Sequence, residues 1–343
     1  MNLNVIGLKL ALGLLVSVAP GCAAQRKVSM PTPNTHDPMV LSAVRLSNAP
    51  AIDLLRLVQA PKSTELLFSS TGAQGARYQT TIFGVSIGDQ PTPAERFKIS
   101  HLLPPPPSWD VTIGADAAPA CVIENAGGAV NSLFLQRGDS RISVTQDYPL
   151  KSFSSPRFFR GELKSALPYI SATADNTTLA AFLPQANKYG QYLPVMDCVD
   201  GLLLKSSEGY TVLCKRYVPG PARNNVLPGI LQFGKLDENL KPKGEMLTLL
   251  DKTPIFEFDA DTFRGASQDT LVIVATTAED MVLTIGSPSR NSFARIPVTG
   301  LADKRSAMRP AVLVNKGQIC AAVIDSFHTP SARILAGVKA VPQ

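Results

Sequence analysis

The sequence predicts an all-β fold, and three observations support this prediction. The chain has 343 residues, of which 28 are proline and 24 are glycine, and only 17% are charged. Beyond Met39, short runs rich in Val, Ile, Leu, Phe and Thr alternate with turns formed by Gly, Pro, Asp and Asn, as in chains of short strands. No long stretch shows the 3.6-residue apolar period of a helix. Because 45% of the residues are hydrophobic, the chain can bury a large core.

A repeat in the turns predicts how these strands are grouped. Residues 309–341 contain a proline, an apolar strand, a glycine turn, a highly apolar strand, a polar turn and a third strand. Residues 253–300 follow the same order with a fourth strand, and residues 154–185 repeat it. Six such units follow one another at spacings of about 50 residues. Their anchors are Pro50, Pro119, Pro156, Gly201, Pro254 and Pro310.

This spacing resembles that of β-propellers, whose blades are four-stranded sheets arranged in a ring. We therefore expect a six-bladed β-propeller over residues 39–343. The alternative is two β-sandwich-like domains that meet at the proline run at 102–109. The sixth unit has only three strands, whereas residues 39–47 form a spare strand before the first unit. We expect this spare strand to become the outer strand of the sixth blade, because that pairing covers two exposed edges.

Residues 1–21 have the composition of a secretory signal peptide. Lys9 precedes an apolar run from Leu10 to Val18, which is too short to cross a hydrocarbon core of ~30 Å. The following Ala-Pro-Gly-Cys, residues 19–22, resembles the bacterial lipoprotein signal, although Pro20 departs from that pattern. The resemblance implies that Cys22 is the first mature residue and carries lipid. Cleavage after Ala24, with release into the periplasm, is the alternative.

The residues after Cys22 predict how the domain is held. Residues 22–38 are polar and rich in proline, which is typical of a tether rather than of a packed element. We expect an outer-membrane lipoprotein that is attached to the membrane through its lipid and bound to a protein partner in the envelope. A periplasmic protein is the alternative. The net charge is +6, yet no basic run exceeds two residues and aromatic residues make up only 6% of the chain. Nucleic-acid binding is therefore excluded.

Four cysteines remain if Cys22 is lipidated, and an oxidising compartment would allow two disulfides. Cys198 and Cys214 are the candidates for a local bond, because the chain between them has the pattern of strand, turn and strand. Cys121 and Cys320 lie in apolar runs. The sequence does not distinguish a disulfide bond between them from two buried free thiols. No cysteine or histidine spacing typical of zinc occurs, and we expect no cofactor.

Catalytic constellations are few, so we expect a binding or scaffolding protein rather than an enzyme, with no catalytic residues. Asp325, Ser326 and His328 are the three residue types of a hydrolase triad. Residues so close in sequence do not converge on one point, because each side chain leaves the backbone in a different direction. A turn explains this stretch better.

Acidic residues support an alternative function, a carbohydrate-active enzyme such as a glycoside hydrolase or lyase, which would need paired carboxylates. Glu257, Asp259 and Asp261 share one face if FEFDADT is a strand, and that face would point at the channel or its rim. Asp197 and Asp200 are the further candidates. The first three are also weak candidates for calcium ligands, although a polar strand end that runs into a solvated loop explains them better.

Overall fold

A computed structural model describes residues 37–44, 46, 51–60, 63–87, 93–101, 108–113, 119–125, 132–137, 140–143, 152–154, 167–172, 177–183, 188–207, 209–250, 253–264, 269–326 and 333–342. The predicted signal peptide, Cys22 and nearly all of the predicted tether lie outside these residues. Within them the regular elements are strands, apart from one 3₁₀ turn at Lys304–Ser306. In this part of the chain, no helix has the length and apolar character that a membrane span needs.

The first three sheets are four-stranded antiparallel units that follow one another along the chain. The first contains β3 (Leu54–Gln59), β4 (Thr64–Gln74), β5 (Arg77–Ser86) and β6 (Ala94–His101). The second contains β7 (Trp109–Ile113), β8 (Pro119–Asn125), β9 (Ser132–Arg137) and β10 (Ser140–Ser143). The third contains β11 (Ser152–Ser154), β12 (Leu167–Ala172), β13 (Thr177–Leu183) and β14 (Lys188–Met196).

Two further units are joined into one sheet by a single pairing of Gly229 with Ile255. The fourth unit contains β15 (Cys198–Ser206), β16 (Gly209–Tyr217), β17 (Gly229–Leu236) and β18 (Leu247–Thr248). The fifth contains β19 (Ile255–Arg264), β20 (Asp269–Thr277), β21 (Met281–Ser287) and β22 (Ser292–Ile296), and β23 (Val298–Thr299) follows it. The sixth contains β24 (Met308–Asn315), β25 (Gln318–Asp325) and β26 (Arg333–Ala340).

The N-terminal segment completes the sixth unit. Two short strands, β1 (Met39–Val40) and β2 (Ser42–Ala43), lie in this segment. β2 pairs with β26 as the outermost strand of the sixth sheet, and β1 pairs in parallel with β23. The predicted pairing of the spare strand with the last unit is therefore confirmed.

Each unit contacts the next one along the chain, and the last unit contacts the first. β3 contacts β7, β9 contacts β11, β12 contacts β15 and β15 contacts β19. β19 contacts β24, and β24 contacts β3, which returns the series to the first unit. The propeller-like fold is therefore confirmed. Six blades remain our predicted count, since the described strands form six four-stranded units.

The second unit begins earlier than the sequence pattern predicts. Our anchor for it, Pro119, starts β8, whereas the unit begins with β7 at Trp109. The Trp109 side chain is fully buried and packs with Ile82 and Ile99 of the first unit. A five-residue strand after a proline run is easily missed, because it carries too few residues to show alternation.

Apolar side chains fill the seams between units, and this explains the continuous hydrophobic runs. Phe233 of the fourth unit packs in one cluster with Phe258 of the fifth, and both side chains are buried. Val274 of the fifth unit packs in one cluster with Val323 of the sixth. Because both faces of such a sheet are covered by neighbours, strands such as β20 and β25 are apolar on both faces.

Candidate functional site

A cavity of about 260 Å³ lies where the inner strands of four units converge. Its wall is formed by β3, β15, β19 and β24, together with the end of β16 and the loop that follows it. The charged lining residues are Arg56, Asp200, Lys215, Glu257 and Arg309. The remaining lining residues are Leu54, Ser108, Val199, Asn225, Val226, Leu227, Phe258 and Pro310. We call this the central cavity.

Arg56 is held in the wall by an ion pair between the first and second units. Its side chain is buried, with only 6% of the residue exposed. Nε donates to Oδ1 of Asp110 on β7 at 3.1 Å, and Nη1 donates to the carbonyl of Leu55 at 2.9 Å. The same Asp110 oxygen accepts the N–H of Val111 at 3.0 Å. The guanidinium is therefore fixed in orientation.

Glu257 and Arg309 form the second ion pair, between the fifth and sixth units. Oε2 of Glu257 accepts the backbone N–H of Arg309 at 2.6 Å, and Oε1 accepts its guanidinium. Burial favours the neutral form of Glu257, but the charge and hydrogen bonds of Arg309 and the charge of Lys215 outweigh it. The pKa of Glu257 is therefore lowered from its ordinary value of 4.5, and its carboxylate is an anion at neutral pH.

Lys215 lies near the end of β16 and joins the cavity wall to the following loop. Only 4% of the residue is exposed. Its Nζ donates to the carbonyl of Phe256 at 2.5 Å and to the carbonyl of Leu227 at 3.3 Å. The ammonium group thus connects the loop of the fourth unit to β19 of the fifth.

That loop, residues 218–228, is named the strap here. Arg223 and Val226 exchange backbone hydrogen bonds across Asn224 and Asn225, whose φ angles are +48° and +63°. Two successive left-handed residues define a type I′ turn, in which asparagine is favoured. The Arg223 guanidinium donates to the carbonyls of Thr277 at 2.7 Å and Ala307 at 3.1 Å. The strap therefore reaches from the fourth unit to the fifth and sixth.

The structure brings together two of the carboxylates that the sequence singles out. Asp200 and Glu257 line the same cavity. Asp197 instead lies on the exposed surface, where it pairs with Arg216 at 3.0 Å.

The other acidic candidates lie in a seam between units. Asp259 is fully buried and its Oδ2 accepts the N–H of Val312 at 2.9 Å. Asp261 accepts the N–H of Val314 at 2.7 Å. The prediction of a shared face is right, since β19 turns all three carboxylates towards β24. The expectation that this face points at the channel is wrong for Asp259 and Asp261, because backbone N–H groups lie opposite them.

The calcium hypothesis for Glu257, Asp259 and Asp261 finds no support in this geometry. Each carboxylate accepts a different backbone N–H of β24, so their oxygens are spread along the strand. Among the residues that the structure describes, no group of three acidic, histidine or cysteine side chains is arranged to hold a metal ion.

Cys198 and Cys214 lie side by side as buried thiols. Burial and the hydrogen bond to Cys214 raise the pKa of Cys198 well above its ordinary value, and its Sγ donates to the carbonyl of Asp200 at 3.2 Å. The predicted bond is not formed in this structure, and it stays a prediction. Cys320 is also a buried free thiol, and the side chain of Cys121 lies outside the described part of the chain.

The Asp325–His328 stretch does not form a described site. Asp325 is buried and its Oδ2 pairs with Arg333 at 3.2 Å, while the Ser326 N–H donates to Ser306 Oγ at 3.1 Å. His328 lies outside the described residues. Asp325 and Ser326 therefore stabilise local structure.

Our sequence analysis missed the three cations of the cavity, Arg56, Lys215 and Arg309. They are distant in sequence, and only the ring brings them together. A usable signal exists in retrospect, because two of them interrupt the apolar runs LLRLV and VLCKRYV and the third precedes Pro310. A charged residue inside a buried strand needs a partner, which indicates a site or a seam.

Comparisons with known proteins found similarity among solved structures alone. No family model and no curated protein matches the chain. Among solved structures, a Trypanosoma rangeli sialidase in complex with the inhibitor DANA matches with a TM-score of 0.51 and 9% identity, covering 88% of this chain and 58% of the sialidase. The periplasmic gluconolactonase PpgL of Pseudomonas aeruginosa matches with a TM-score of 0.46 and 13% identity, over 84% and 88% of the two chains. TolB from Acinetobacter baumannii matches with a TM-score of 0.42 and 9% identity, over 83% and 79%.

Proposed function

We propose that this chain is an exported binding protein of the cell envelope whose central cavity holds a small ligand. One observation carries the proposal: the inner strands of four units, together with the end of β16, place five charged side chains around one cavity. Concave sites with a few convergent polar groups are the usual form of ligand sites, and they occur where repeated elements meet.

Two of the charged groups of the cavity, those of Arg56 and Lys215, are fixed before any ligand arrives. Arg56 and Lys215 are almost fully buried, and removing a cation from water is costly unless it is hydrogen-bonded. Asp110 holds Arg56, while the carbonyls of Phe256 and Leu227 hold Lys215. A ligand that meets prearranged donors loses less free energy to ordering, which favours binding.

Catalysis is the second candidate, because Asp200 and Glu257 line one cavity as the carboxylates of a glycosidase would. Glycoside hydrolysis needs one carboxylic acid with a raised pKa to protonate the leaving group. The pKa of Glu257 is lowered, so this residue serves as an anion and not as that acid. This excludes Glu257 from the role of the acid alone, and we put binding first.

The proposal includes a lipid anchor at Cys22, with the tether of residues 22–38 carrying the propeller at the outer membrane, and a protein partner in the envelope. Its support is the Gly21–Cys22 pair and the proline-rich sequence that follows. Intact mass of the protein purified in detergent tests the anchor. We expect an acylated chain that begins at Cys22 and a released chain when Cys22 is replaced by serine. A chain beginning at Gln25 without lipid would contradict it.

A thermal-shift screen of the full chain tests ligand binding at the cavity. The probes are neutral sugars, amino acids and small organic acids, and a binder raises the melting temperature by mass action. The Asp200→Asn variant should lose the shift. Asp197→Asn is the matched control, since Asp197 is exposed and asparagine tolerates its left-handed backbone.

Three outcomes would contradict the proposal. No probe raises the melting temperature, or the shift survives in Asp200→Asn, or a glycoside is hydrolysed by the wild type and not by Glu257→Gln. The last result would establish the enzyme in place of the binding protein.

A further inference from the structure

We infer that the central cavity takes a neutral, polyhydroxylated ligand, a sugar, and that Asn225 on the strap is a specificity-determining contact. This inference rests on the proposed ligand-binding function and adds the chemical class of the ligand. It is carried by the mixture of donors and acceptors in the cavity wall and by the position of Asn225 in the strap.

The wall offers both kinds of hydrogen-bonding partner. Arg56, Lys215 and Arg309 only donate, whereas the carboxylates of Asp200 and Glu257 supply acceptors. Ser108 and Asn225 do both. A hydroxyl group donates and accepts at the same atom, so a ligand with several hydroxyl groups can satisfy partners of both kinds at once.

Ligands with a net charge fit this wall less well. An anion would lie near the carboxylates of Asp200 and Glu257, and a cation would lie near three basic groups. Like charges at short distance in a partly buried site repel strongly, because little water screens them. A neutral ligand meets no such repulsion.

The apolar part of the cavity wall also favours a neutral sugar as the ligand. Leu54, Val199, Val226, Leu227 and Phe258 also line the cavity. A sugar ring presents C–H groups as well as hydroxyls, so it can cover apolar side chains while its hydroxyls reach the charged ones. A fully polar ion would leave this apolar surface without a matching contact.

Asn225 is presented to the cavity by a turn that is fixed at both sides. Arg223 anchors the strap to the fifth and sixth units, and Lys215 binds the carbonyl of Leu227. Asn225 lines the cavity, whereas its neighbour Asn224 does not, although both have left-handed backbones. Glycine also adopts that backbone, so each asparagine can be replaced by glycine without loss of the turn.

Calorimetric titration of the full chain tests the inference. The probes are neutral monosaccharides, neutral oligosaccharides, uronic acids and amino acids. We expect a neutral sugar to bind, with an affinity that changes less than about twofold between low and high salt. Asn225→Gly should weaken binding about threefold to tenfold, the loss of one or two hydrogen bonds. Asn224→Gly is the matched control and should bind as the wild type does.

The remaining titrations distinguish a wrong ligand class from a wrong proposed function. The oligosaccharide arm shows whether the ligand is a free sugar or a chain end, and binding in either arm supports the inference. Salt-sensitive binding of a uronic acid or an amino acid would overturn the ligand class while ligand binding at the cavity stands. Equal weakening by both glycine variants would overturn the role of Asn225. Absence of any binding would overturn the proposed function itself.

Discussion

The carboxylate of Glu257 accepts hydrogen bonds from both the backbone N–H and the guanidinium of Arg309, a residue with a φ of +56°. The left-handed region costs a non-glycine residue about 1–2 kcal/mol. Strain of this kind persists where the surroundings fix the backbone, and it is concentrated at functional sites. The pair therefore fixes one charged corner of the central cavity and joins the fifth and sixth units.

The ion pair predicts how stability depends on pH. Since the folded pKa of Glu257 lies below 4.5, its stabilising contribution is fully present above that pH and is lost as pH falls through the folded pKa. Glu257→Gln should lower the free energy of unfolding at neutral pH by about 1–3 kcal/mol. Urea unfolding should show the difference between the two proteins shrinking on acidification. A difference that is constant with pH would contradict the account, and Glu238→Gln, at an exposed position, is the control.

Asp259 is predicted to matter for stability and not for ligand binding. Asp259→Ala removes the acceptor of the buried Val312 N–H, which should cost about 1–3 kcal/mol of unfolding free energy. Urea unfolding measures this loss, and titration with the ligand measures affinity. Loss of binding or of turnover without loss of stability would show that Asp259 belongs to the functional site after all.

The comparison of sequence with structure is clearest on β19. The alternation in FEFDADT correctly predicts that Glu257, Asp259 and Asp261 share a face, because strand geometry is local. What lies opposite that face depends on β24, which is about 50 residues away in sequence. Sequence periodicity carries no information on that neighbour, so the seam was mistaken for a channel wall.

Closure of the ring was predictable for a different reason. The last unit lacks a fourth strand, and an unpaired edge predicts that some other segment covers it. The central cavity was predictable only in part, through Asp200 and Glu257. Its cations are single residues in apolar strands, and their convergence follows from the ring rather than from any local pattern.

The N-terminal strand should be displaced by a methyl group at Gly337. A Cβ there would lie 2.3 Å from the carbonyl oxygen of Val40, whereas a Cβ at Gly72 would meet nothing within 4 Å. Gly337→Ala should cost about 1–3 kcal/mol through overpacking and expose residues 39–44 to hydrogen exchange and protease. Gly72→Ala is the matched control. Equal protection of residues 39–44 in both variants would contradict the closure.

Cys198 and Cys214 should form a disulfide when the protein folds in an oxidising compartment. The two thiols lose two hydrogens and pass two electrons to a disulfide oxidant, and closing a loop of about 15 residues stabilises a fold by about 3 kcal/mol. Alkylation under denaturing, non-reducing conditions followed by peptide mass analysis should find both residues unmodified by the reagent. Alkylation of both would show free thiols, as the structure has them.

Hydrogen–deuterium exchange of the full chain, with and without a sugar identified by titration, tests the central claim most directly. Binding in the central cavity should slow exchange in the strap around Asn225 and at Arg309. The turn at residues 237–241, which does not line the cavity, should exchange at the same rate in both samples. Slower exchange confined to that turn, with no change in the strap, would contradict the account.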